Sequence, residues 1–158
     1  MPTSSAQNLL PIVASYLPVP IAGAVLSAAW NVGATPEGDA GDMVLRGTAL
    51  TSPLFLPVVL AGGAALARRP GAAGRFGAGI VTLVATAFLA GSTANLPNDL
   101  AAAEHAGTPR GLTVGLAGVH IALSVALLYN AVPRLVGRAP SAGGPDLGGP
   151  ALDGSLAG

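Results

Sequence analysis

One histidine, His120, stands in the middle of an apolar run from Leu112 to Val132. It is eight residues into that run, about 12 Å along a helix at ~1.5 Å per residue. Thr113 and Ser124 fall on its face, at i−7 and i+4, and extend it into a polar stripe. An imidazole so placed can accept or donate a proton, or touch a ligand in a small cavity. It can equally be a neutral ring bonded to a backbone carbonyl or a Ser/Thr hydroxyl, holding helices together. A second group lies at Asn95-Leu96-Pro97-Asn98-Asp99. With Ser92, the Asn95 and Asp99 side chains share one face if the helix continues, giving a rim of amides and a carboxylate that could meet a ligand. The structural alternative starts from Pro97, which disfavours helical geometry at Leu96. Asn98 would then cap a short helix from Asp99 to His105, closed by Gly107. Arg46 and Arg110 should sit at the depth of Asp99, so an ion pair across that mouth is expected.

Other chemistry is excluded by what the chain lacks. It has no cysteine, so disulfides, thiolate catalysis and iron–sulfur ligation are ruled out. Neither His105 nor His120 has a second histidine or an acid at i+3 or i+4, so no metal site is expected, and no cofactor is implied. No Ser/His/acid set has suitable spacing for a hydrolase. Seven basic residues balance seven acidic ones, which leaves no basic face for nucleic acid.

The elements that must hold these groups are four apolar stretches, approximately Leu9–Trp30, Met43–Leu66, Phe76–Leu96 and Leu112–Val132. About 20 apolar residues cross the ~30 Å hydrocarbon core of a bilayer. Charged residues make up 9% of the 158, hydrophobic ones 51%, and mean hydropathy is +0.65, against the ~25% charged expected of a soluble domain. The fold class expected is all-α: a polytopic membrane protein with a four-helix transmembrane domain over 1–138, its partner the lipid bilayer. Residues 139–158, rich in Gly, Pro, Ala and Ser, should form a disordered cytoplasmic tail. Met1–Asn8 carries no Lys or Arg, so the first stretch reads as a retained helix and not a secretory signal.

Charge sets the orientation. Arg68, Arg69, Arg75, Arg134 and Arg138 fall on one side, and Arg46 and Arg110 on the other with most of the acids. The positive-inside rule therefore places both termini in the cytoplasm. Arginine without lysine, amid abundant Ala and Gly, suggests a GC-rich bacterial genome and hence the inner membrane. Gly111, Gly115 and Gly118 make a flat strip on the last helix, with Gly23 and Ser27 on the first and Gly62 and Gly63 on the second. These are expected to be packing faces within one bundle, or else a seam for a homo-oligomer. Pro11, Pro18, Pro20, Pro53 and Pro57 should bend the first two spans, drawing in Ser15, Ser52 or water to satisfy freed carbonyls.

Arg46, Asn95, Asn98, Asp99, Glu104 and Arg110 thus gather at the outer mouth, with His120 about 10 Å below Asn95. Only a cavity would connect them. Four short helices with an Asn-x-Pro-Asn element after the third resemble the anthrone-oxygenase-like membrane proteins. That family carries Asn-Val-Pro-Leu-Asn here, one residue longer between Pro and Asn, and the similarity covers the last third of the chain. The resemblance implies a cofactor-free oxygenase of polycyclic phenols, with His120 as the base that ionises the substrate and Asn95 and Asn98 orienting its oxygens. The residues themselves also support a pocket for a lipophilic small molecule, or a structural or regulatory subunit without chemistry. A cavity from Asp99 to His120 favours an enzyme or binder, and its absence a structural role.

Overall fold

A computed structural model describes residues 6–137, and every regular element in that range is helical. Arg138 and the 139–158 tail lie outside the described residues. The first apolar stretch forms two helices, α1 (Ala6–Tyr16) and α2 (Pro18–Trp30). They meet at Leu17, whose N–H still bonds the Val13 carbonyl. Pro18 and Pro20 lack the N–H groups that would continue the ladder, so the chain bends there. After α2 comes a loop with a 3-10 turn, Ala40–Met43, and then α3 (Phe55–Leu66), α4 (Gly71–Ala94), α5 (Leu96–His105) and α6 (Arg110–Leu135).

The second expected span, Met43–Leu66, is the largest correction. Only Phe55–Leu66 is helical. Arg46, expected just inside that helix, lies in the loop before it. Gly47 takes φ +80°, a left-handed turn that glycine adopts without strain. The Thr48 N–H bonds the Thr51 carbonyl, and Pro53 precedes the helix. The chain here folds back on itself and packs against α2. A Cβ at Gly23 would overlap the Leu50 carbonyl oxygen, so the close approach depends on glycine there. Hydroxyls then fasten the contact. Ser27 Oγ and Thr48 Oγ1 lie 2.5 Å apart, and Thr51 Oγ1 donates to the Pro20 carbonyl at 2.9 Å. Thr51, not the expected Ser15 or Ser52, therefore serves the proline-rich turn of α2.

The other spans differ from expectation only at their ends. Helix α4 starts at Gly71 and α6 runs from Arg110 to Leu135. Pro97 sits within the first turn of α5, where its missing N–H costs nothing. That helix consequently begins at Leu96, with Asn95 and not Asn98 at the position before it and no side-chain cap, while Gly107 at φ +72° ends it as expected.

Helix α4 packs between α3 and α6, and α1 closes against α3 and α6. One apolar cluster joins all four through Leu9, Val13, Leu60, Val81, Phe88 and Leu127. The α3–α4 crossing is close enough that a Cβ on Gly77 would strike the backbone of Leu66 and Ala67. Arg134 Nη1 donates to the Ala67 carbonyl at 2.9 Å, satisfying the end of α3. A smaller cluster of Val32, Leu50, Ala102 and Ala103 holds the opposite end, near Trp30. Among the described residues nothing packs on the glycine strip of α6: Gly111, Gly115 and Gly118 are exposed, with open space where a Cβ would stand.

Leu9–Trp30, Gly71–Ala94 and Arg110–Leu135 are each long and apolar enough to cross a membrane, and Phe55–Leu66 is apolar but shorter. Ile21, Val25, Val58, Phe76, Leu83 and Val125 all point outward and are exposed. Helices with apolar residues on their outer as well as their inner faces fit a lipid surround and not water.

Candidate functional site

Between the two apolar clusters lies a cavity of about 460 Å³. Its walls come from the folded-back segment (Thr48–Pro53), from α4 (Phe88, Ser92), from the α4–α5 junction (Asn95, Asn98, Asp99) and from α6 (Leu116, His120). Exposed residues Thr35, Arg46, Asn95 and Asn98 surround its mouth, and buried Phe88 and His120 lie at its floor. Six of the side chains singled out in the sequence thus share one cavity: Arg46, Ser92, Asn95, Asn98, Asp99 and His120. Ser124, although buried on the His120 face, does not line it.

His120 is 5% exposed. Its Nδ1 lies 2.9 Å from the Leu116 carbonyl oxygen one turn back in α6. A carbonyl only accepts, so Nδ1 carries the hydrogen in the neutral ring and Nε2 keeps its lone pair. Among the described residues Nε2 has no hydrogen-bond partner. The ring is therefore oriented by its own helix rather than by a neighbouring one, and it lines the cavity while Nε2 itself is buried. Aromatic edges hold it in place. The Tyr16 ring lies 5.5 Å away at 80°, that of Phe88 6.4 Å away at 64°, and these two stack on each other at 5.0 Å. The Ser52 hydroxyl approaches that of Tyr16, but neither completes a hydrogen bond of good geometry.

At the mouth, the expected ion pair does not form. Among the described residues Arg46 pairs with Asp42 at 3.5 Å, because the turn that carries both brings them together at i,i+4 spacing. Asp99 pairs with neither Arg46 nor Arg110. Burial without a cation pushes its carboxyl from 3.8 up to about 6. The folded protein thus favours the neutral acid. The stability this confers is complete below the unfolded value and is lost as pH rises through about 6. We expect the melting midpoint in detergent to fall between pH 4.5 and 7 by more in the native chain than in Asp99→Asn. The difference should be about 1 kcal/mol, kept small because the carboxyl is partly open to solvent. Equal pH dependence in the two chains would refute it.

Tyr16, Phe88, Thr48 and Thr51 were not singled out as site residues. Thr48, Thr51 and Pro53 after Gly47 in an apolar stretch signal a broken helix, and could have marked the cavity wall. Nothing in the sequence pairs Tyr16 with Phe88 or His120. Among the described residues, no group of three or more His, Asp or Glu could hold a metal. Comparisons with protein-family models, with curated proteins and with solved structures found no match to this chain.

Proposed function

We propose that this is a four-span protein of the bacterial inner membrane, with both ends cytoplasmic, that binds a lipophilic small molecule in a cavity open to the outer face. The observation that carries the reading is the cavity itself, which is lined from Asp99 near its mouth to the buried His120. A purely structural subunit has no use for a half-buried carboxyl and a buried imidazole lining one space. The second crossing is made by the folded-back segment together with α3. Thr51 bonds the Pro20 carbonyl, ten residues before Trp30 and so about 15 Å below the interface. Irregular backbone is tolerated at such depth where protein buries it or where it lines a cavity. Gly47–Pro53 lines the cavity, and Gly47, Ala49, Leu50 and Thr51 are buried as well. The arginines Arg68, Arg69 and Arg75 cluster at the far end, as an inner face requires.

The chain has no cysteine, so single substitutions at Thr35, Ala87 and Ala117 can be labelled one at a time. A membrane-impermeant thiol reagent should reach Thr35→Cys and Ala117→Cys from the periplasmic side of spheroplasts. A bound lipophilic ligand should shield Ala117→Cys. Labelling only from the cytoplasmic side would overturn the orientation, and an unreactive Ala117→Cys would overturn the open cavity.

A second reading draws on the unpartnered Nε2 together with the Asn-Leu-Pro-Asn element: a cofactor-free oxygenase of polycyclic phenols. It requires oxygen-dependent turnover of such a phenol that His120→Ala abolishes while substrate affinity survives.

A further inference from the structure

We infer that the mouth of the cavity receives a protonated amine, so that the ligand is a lipophilic primary amine held by Asp99 with its hydrocarbon body below. This rests on the pocket reading above and names the polar end of its ligand. Asp99 lies half-buried in the first turn of α5 and lines the cavity. Among the described residues it pairs with no cation, and Arg46, which also lines the mouth, is engaged by Asp42 at 3.5 Å. Burial therefore acts on the carboxyl with no positive charge or hydrogen bond to offset it. Its oxygens nevertheless stay accessible, unlike the closed-off Nε2 of His120 and Oγ of Ser124. A carboxyl that has lost part of its water and gained no partner is incomplete. A cation arriving from outside completes it.

The groups beside Asp99 select the kind of cation. The Asp99 N–H bonds the Asn95 carbonyl at 2.9 Å, and the Asn95 N–H that of Gly91 at 2.9 Å. Helical spacing thus runs through the α4–α5 junction and sets Asn95 and Asp99 on one face. Ser92 and Asn98 line the same mouth. Each of these three neighbours carries a side-chain oxygen that accepts hydrogen bonds. A primary ammonium brings a full charge for the carboxylate and three N–H donors to share among the other oxygens. An alcohol brings one donor and no charge, and a quaternary ammonium brings charge and no donor. A carboxylate would meet Asp99 with like charge. The depth agrees with this choice. Charge is costly at mid-membrane and cheap near the interface, and Asp99 stands at the mouth while Leu50, Leu56, Leu116 and Ala117 wall the interior. A free alkylamine and the ethanolamine headgroup of a lipid present the same ammonium.

The test uses the full chain in phosphatidylcholine nanodiscs at about pH 8. There the Asp99 carboxyl, raised to about 6, is ionised and a primary amine is protonated. Decylamine, decan-1-ol and decanoic acid are titrated by calorimetry, with empty discs subtracted. Decylamine should bind about tenfold or more tighter than either of the others. Asp99→Asn keeps the shape of the side chain and should bring decylamine down to the level of decan-1-ol. Adding phosphatidylethanolamine to the discs should weaken decylamine binding if a lipid headgroup is the natural occupant, and leave it unchanged if a free amine is. Both results agree with the ammonium receptor. Equal binding of amine and alcohol would overturn the receptor and leave the pocket standing, whereas binding of none of the three would overturn both. An amine preference that survives Asp99→Asn, or a preference for decanoic acid, would set the polar end against other groups and also overturn the proposal.

Discussion

Gly23→Val should open the cavity wall and destabilise the protein at once. The new Cβ would strike the Leu50 carbonyl oxygen and crowd Thr51 Cβ. No rotamer relieves this, since the clash is with backbone, so the folded-back segment must leave α2. Its departure strains the Ser27–Thr48 contact and the Thr51–Pro20 bond. Overpacking of this kind costs about 1–3 kcal/mol, and each buried hydrogen bond lost adds about 1 kcal/mol. A total near 3 kcal/mol is expected. The readouts are the unfolding midpoint in detergent and the thiol reactivity of Ala49→Cys, a buried position on the segment. Ala49→Cys should be protected in the parent and react readily beside Gly23→Val. Gly62→Val, where a Cβ meets nothing within 4 Å, supplies the contrast and should change neither. A protected Ala49→Cys in the Gly23→Val background would show that the segment does not rest on α2.

The same segment explains where the sequence was legible and where it misled. Leu9–Trp30, α4 and α6 could be read because unbroken apolar length is a property of local composition. Their ends moved by only a few residues, since α4 and α6 start directly after Pro70 and Pro109 and α6 runs on to Leu135. The stretch Met43–Leu66 has comparable apolar content, and mean hydropathy conceals where its backbone bonds go. Val44 and Leu45 count toward a span there, yet both lie exposed in the loop. Gly47, Thr48, Thr51 and Pro53 carried the contrary signal. Each is tolerated singly in a membrane helix, and only together do they end one. Of the two readings of the strip Gly111, Gly115 and Gly118, the packing face within one bundle failed for a related reason. Small residues permit close approach without specifying which neighbour makes it, and here none of the described residues does.

The candidate site divides along the same line. Asn95, Asn98 and Asp99 could be picked out because polar residues at a span's end are conspicuous, and His120 because ionisable groups are rare inside one. That they share a space was a conditional expectation, dependent on a cavity between the mouth and His120. Thr48–Pro53 supplies one wall of that cavity, held against α2 instead of running as a helix. The Asp99–Arg46 pair failed for the same reason, since the non-helical turn delivers Arg46 to Asp42. Tyr16 and Phe88 come from elements 72 positions apart in the sequence, brought together by the α1–α6 and α4–α6 packing. Only the tertiary structure could reveal them.

Ala117→Trp should abolish ligand binding while leaving the fold intact. Ala117 lies on α6 one turn before His120 and lines the cavity, half-buried. An indole there extends into open space rather than into the Leu60–Val81–Leu127 cluster, so the overpacking penalty that follows core enlargement does not apply. It does occupy the route from Asn98 and Asp99 down to His120. A ligand that spans that route loses its apolar contacts and its path to the floor together, and affinity should fall by about 100-fold, near 3 kcal/mol. The unfolding midpoint should stay within about 0.5 kcal/mol of the parent, as for substitutions that touch no packed neighbour. The contrast with Gly23→Val is what makes the pair informative. One variant loses binding through collapse of the wall, the other through a plug in a wall that stands. If Ala117→Trp bound lipophilic probes as tightly as the parent, the ligand would have to lie elsewhere, on the outward apolar surface of α4 or α6. The cavity from Asp99 to His120 would then be an incidental gap between helices.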